Sequence, residues 1–66
     1  MPKPEILLIS WSFTEPSVTI SINGARWTYR LVSPSIIDQI LLYFNRGWTG
    51  KALAHAKRYK LSEHRV

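Results

Sequence analysis

Three side chains that bind phosphate well, Lys51, His55 and Arg58, recur at i, i+4 and i+7 near the end of a 66-residue chain. On a helix that spacing gathers them on one side. Lys57 and Lys60 flank the stripe, Arg46 precedes it, and Trp48 lies between them in a connector bounded by Gly47 and Gly50. A helix start adds free backbone N–H groups and a partial positive charge, so the segment has the chemistry of a phosphate-binding end. Trp48 has two available roles there: plugging the end of the core, or stacking on a base or in a partner's pocket. A second group is Arg26 and Arg30, set among serines and threonines that can donate hydrogen bonds to a sugar-phosphate backbone. Such contacts give affinity with little sequence readout.

Catalysis finds less support. The four acids are scattered, with Glu15 expected in a turn and Asp38 in the first turn of a helix, where a carboxylate complements the helix dipole. His55 and His64 are nine residues apart with no cysteine and only Glu63 near, a poor metal spacing. Ser33 lacks a nucleophile elbow, and Gly47-Trp48-Thr49-Gly50-Lys51 lacks the Walker spacing and a preceding strand. The expectation is therefore a non-enzyme with no catalytic residues, no metal and no cofactor.

Charge is unevenly placed. Residues 1–45 hold Lys3, Arg26 and Arg30 against Glu5, Glu15 and Asp38, whereas residues 46–66 hold six basic residues against Glu63, so the net +5 is entirely C-terminal. A solvated surface is the plain alternative to a binding face. The length allows one domain, and a chain so short buries only roughly 60% of its unfolded surface, with no disulfide to help. The apolar start, Ile6 to Ile9, is too short for a signal peptide or a membrane span. The lack of cysteine fits a reducing compartment, and the expected location is cytoplasmic.

The elements that must carry these residues follow from periodicity. Alternation predicts strands over 6–13, 17–22 and 25–32, the last two joined by Asn23-Gly24, the signature of a type I′ turn. A two-residue turn pairs Ile22 with Ala25, Ile20 with Trp27 and Val18 with Tyr29. A four-residue loop sets Phe13, Trp11 and Ile9 opposite Val18, Ile20 and Ile22. One face then carries Ile9, Trp11, Phe13, Val18, Ile20, Ile22, Trp27, Tyr29 and Leu31; Arg26, Arg30 and the hydroxyls line the other. Ser33-Pro34 reads as a helix start, and Ile36, Ile37, Ile40, Leu41 and Phe44 form an apolar stripe over 34–45, stopped by Gly47. Thr49 is placed to cap a second helix over 50–61, whose apolar sector is Ala52, Leu53, Ala56 and Tyr59. The tail, 62–66, is expected to fray.

This order of elements, with Trp27-Thr28-Tyr29-Arg30, Val32-Ser33-Pro34 and Asn45-Arg46-Gly47-Trp48, resembles the KTSC domain from about Ile6 to Tyr59. The family's naming cysteine has no counterpart here. The resemblance implies a small βββα accessory module, sometimes associated with lysyl-tRNA synthetase-like proteins and mobile elements, with nucleic-acid binding suspected. A partial similarity is to the βββα half of a double-stranded-RNA-binding domain.

The expected class is thus α+β: a three-stranded antiparallel meander with one face covered by a helix, followed by a short basic C-terminal helix. The expected function is nucleic-acid binding, DNA or RNA, through phosphate contacts from that helix. The alternative is a phage- or mobile-element-type adaptor or inhibitor that docks the helix on an acidic protein surface. Either a monomer or a homodimer is compatible, the latter through Leu7 or Leu8, Leu42, Tyr43 and Leu61.

Overall fold

The computed structural model describes residues 4–66; Met1, Pro2 and Lys3, read above for a leader and in the charge balance, lie outside them. The elements run β1 (Ile6–Ser12), β2 (Ser17–Ile22), β3 (Ala25–Leu31), α1 (Pro34–Asn45), α2 (Thr49–Arg58) and β4 (Lys60–Arg65). The sheet is antiparallel, in the order β1-β2-β3-β4. The class is α+β, as the periodicity implies, with four strands rather than three.

The β2–β3 hairpin has the expected register, Ile22 opposite Ala25 through Val18 opposite Tyr29. Asn23 and Gly24 have φ of 50° and 87°, the two positive values a type I′ turn demands. The β1–β2 register differs from expectation. Ile6 pairs with Ile22 and Leu8 with Ile20, and a bulge between Leu8 and Ser10 then sets Trp11 opposite Val18. Residues 6–13 contain two apolar alternations out of phase, Ile6/Leu8 and Ile9/Trp11/Phe13, and one extra residue at the bulge lets β1 accommodate both. Ile6 belongs to the core, while Ile9, Trp11 and Phe13, at and beyond the bulge, are 40%, 47% and 47% exposed. Phe13 falls in the turn, outside the strand.

The helices cover one sheet face. Ile37 and Ile40 from α1, with Ala52 and Ala56 from α2, close over Ile6, Val18, Ile20, Tyr29 and Leu31. The two alanines present almost no side-chain bulk, which lets α2 seat deeply. Burial, reinforced by Glu63 in register opposite, raises the Tyr29 phenol above its ordinary range. Ser33 occupies the N-cap position of α1 in extended conformation, but its hydroxyl bonds Ser35 Oγ at 2.7 Å and makes no cap bond. Trp48, not Thr49, is the N-cap residue of α2. Asp38 lies beyond the first turn of α1 and is exposed.

The largest correction is at the C-terminus. The second helix ends at Arg58 and not 61, and residues expected to fray pair as β4 with β3, Thr28 opposite His64 and Arg30 opposite Ser62. Without β4, the outer edge of β3 would present a row of unpaired N–H and C=O groups beside the buried Tyr29 and Leu31. The charged composition of 60–65 hides this role, since the strand supplies backbone pairing and little apolar surface. Among the described residues no helix is long and apolar enough to cross a membrane.

The seating of α2 is testable by size. Ala56→Leu overfills a closed contact and is expected to lower stability by about 1–3 kcal/mol in urea denaturation. Ala54→Leu, on the exposed side of the same helix, is expected to change it by under about 0.5 kcal/mol; equal effects would contradict the close packing.

Candidate nucleic-acid interface

The junction between the helices is built by one glycine. Gly47 has φ of 78°, and the Gly47 and Trp48 N–H groups donate to Phe44 O at 3.1 Å and Tyr43 O at 2.8 Å. This pair of bonds is a Schellman motif, which satisfies the last carbonyls of α1 and brings the residue after the glycine onto the residue four before it. Trp48 therefore lies against Tyr43, their ring centroids 6.2 Å apart. It is not a core plug: 47% of it is exposed.

From that pair a ladder of rings continues along α2. His55 meets Tyr43 edge-on at 5.5 Å and lies 4.8 Å from the Tyr59 ring. Cations sit between and over the rings. Lys51 Nζ lies 5.1 Å from the Tyr43 centroid and 5.2 Å from that of Trp48, Arg46 lies over Trp48 at 5.4 Å, and Arg58 over Tyr59 at 5.6 Å. Each such contact is worth about 0.5–1 kcal/mol at an exposed site. More important here, it holds a mobile cation in one place beside an aromatic face. The i, i+4 spacings Lys51–His55 and His55–Tyr59 create the alignment along α2. The first turn of α2 carries no acidic residue.

His55 is half-buried, and its Nε2 atom is buried without a hydrogen-bond partner. Burial, then the nearby Arg58 charge, lowers its pKa below the ordinary 6.5. The ring is therefore neutral at neutral pH and able to donate or accept a hydrogen bond. Tyr43, Lys51, Ala54, His55, Arg58 and Tyr59 together line an open hollow of about 360 Å³.

The structure thus brings Arg46, Trp48, Lys51, His55 and Arg58 together on the helical layer. Other candidates go elsewhere. Lys57 is exposed on α2 and lies outside this hollow. Lys60 belongs to β4, where it forms an ion pair with Glu63. Arg26 and Arg30 alternate with the inward Trp27, Tyr29 and Leu31, which places them on the uncovered sheet face. There they share cross-strand rows with Ser17, Ser21 and Ser62, beside a Thr19–Thr28 hydroxyl bond of 2.9 Å. The sheet itself separates these two basic surfaces. Tyr43 and Tyr59 are not among the expected site residues: Tyr59 reads as part of the apolar sector of the second helix, and Tyr43 as part of an exposed patch for a homodimer. The Gly47 stop was the available signal: a Schellman turn makes neighbours of Tyr43 and Trp48.

The chain matches no family model, no curated protein and no solved structure in the three comparisons made.

The lowered His55 pKa fixes a pH dependence. Between the folded value and about 6.5 the unfolded chain binds a proton that the folded chain does not, so the His55 contribution to stability is lost as pH is lowered through that window and is level above it. The urea midpoint is expected to drop as pH is lowered from about 7.5 to about 5.5, and His55→Gln to reduce that drop. An imidazole NMR titration that puts His55 at or above its ordinary value would contradict this environment.

Proposed function

We propose that this chain is a cytoplasmic, non-catalytic nucleic-acid-binding module whose contact surface is the helical layer. The observation that carries the reading is the interleaving of Arg46, Lys51 and Arg58 with the rings of Trp48, Tyr43 and Tyr59. Nucleic acid alternates anionic phosphates with flat heterocycles, and a surface that alternates fixed cations with ring faces is complementary to both. The C-terminal location of the whole +5 supports the same partner class. The expectation from the KTSC resemblance points the same way. Arg26 and Arg30, on the opposite face, are supplementary phosphate contacts in this reading, outside the main track.

A second reading, a protein-interaction module, is favoured by a separate observation. Edge strand β1 has no charged residue and exposes Leu7, Ile9 and Trp11, with Phe13 beyond it. A nuclease-resistant stoichiometric protein partner, lost on Trp11→Ser, would favour that reading.

Binding of labelled DNA and RNA across a salt series decides the first. Affinity is expected to fall steeply with salt, and Lys51→Ala with Arg58→Ala to reduce the log–log slope by about 0.7–0.9 per cation removed. No binding at low salt, or a double variant that binds like the parent chain, would sink the proposal.

A further inference from the structure

The ladder is flanked by two hollows rather than one, and the side chain between them is a cation. The first, about 310 Å³, is walled by Trp48 with Gly47, Thr49 and Ile6, at the start of α2. The second, about 360 Å³, is the hollow of Tyr43, His55 and Tyr59. Lys51 lines both, its Nζ held between the Trp48 and Tyr43 rings. Both lie at the small end of the roughly 300–1,000 Å³ range of ligand clefts. Each has room for a heterocycle laid against its ring.

Aromatic hollow, ammonium, aromatic hollow repeats the order base, phosphate, base along a single strand. The second hollow is also lined by His55, whose Nε2 lacks a hydrogen-bond partner. This Nε2 is one of two such buried atoms among the described residues, with Ser62 Oγ on β4, and buried polar groups are otherwise almost always satisfied. The hydrogen-bonding edge of a base supplies such a partner; a phosphate would meet Lys51 or Arg58 first.

We propose that the α1–α2 junction holds two consecutive nucleotides of a single strand, one base against Trp48, the linking phosphate on Lys51, and the next base between Tyr43 and Tyr59 with its edge on His55. This rests on the nucleic-acid reading and sharpens it: the ligand is single-stranded, and its bases, not only its backbone, are engaged. Paired and stacked bases of a duplex cannot enter either hollow without being flipped out, at a cost of a few kcal/mol.

The test uses the intact chain with three short probes of equal phosphate number at one salt concentration: an oligothymidylate or oligouridylate, a hairpin duplex, and a strand of abasic sugar-phosphate. The single strand is expected to bind roughly tenfold or more tightly than the abasic strand, the scale of one or two stacked bases, and more tightly than the duplex. It is also expected to quench tryptophan fluorescence in the parent chain and not in Trp48→Phe. Equal affinity for the abasic and base-bearing strands would overturn the two-base site while leaving nucleic-acid binding intact. Binding of none of the probes would remove both, so the two failures are distinguishable. The probe comparison is made on unaltered protein and does not depend on any variant folding.

Discussion

The seating of α2 through Ala52 and Ala56 governs what this small molecule can present. Both alanines are fully buried, and only side chains of that size let the helix approach the sheet and α1 so closely. The approach does two things at once. It closes the core over Ile20 and Tyr29, and it places the neighbouring stripe of α2, Lys51 and His55, against Tyr43 of α1. Larger residues at 52 and 56 would move the second stripe outward together with the first. Packing and the candidate interface are thus two sides of one helix, fixed by one contact. Gly47 completes the arrangement by delivering Trp48 onto Tyr43 through a turn that a β-carbon would strain.

Charge is distributed by the same architecture. The excess positive charge of residues 46–66 does not form one stripe, because the segment folds as a connector, a helix and then a strand. Lys60 is matched by Glu63 on β4, and Arg65 lies opposite Trp27 at the strand's end. The cations left beside aromatic rings are Arg46, Lys51 and Arg58. On the far side of the sheet, Arg26 and Arg30 stand among hydroxyl groups, with the His64 imidazole opposite Thr28 between them. Cations held over large ring faces, as on the helical layer, suit both backbone and bases.

Much of this fold is legible in the residues, and the places where it is not have physical causes. Asn23-Gly24 determines the central hairpin because the turn geometry leaves one register that puts every apolar residue on one face. The α1 stripe and its glycine stop read directly. The β1 bulge does not, since two out-of-phase alternations look like one continuous apolar strand until something decides which residues are covered. Strand β4 is invisible to hydropathy, because its task is to pair the backbone edge of β3 and its side chains are mostly polar or charged. At the interface, Lys51, His55 and Arg58 follow from helical spacing. Tyr43 follows only indirectly, from the Gly47 stop that turns Trp48 back onto it; its contact with His55 depends on how the two helices meet.

In the proposed function the helical layer, and not the uncovered sheet face or the β1 edge, receives the nucleic acid. Amide and side-chain NMR shifts recorded while a short single strand is titrated into the intact chain test this most directly. The predicted result is perturbation concentrated at the Trp48 indole, the Tyr43 and Tyr59 rings and residues 47–59, with Thr19, Thr28 and Trp11 nearly unmoved. Perturbations centred on Arg26, Thr28 and Arg30, or on β1, would contradict it.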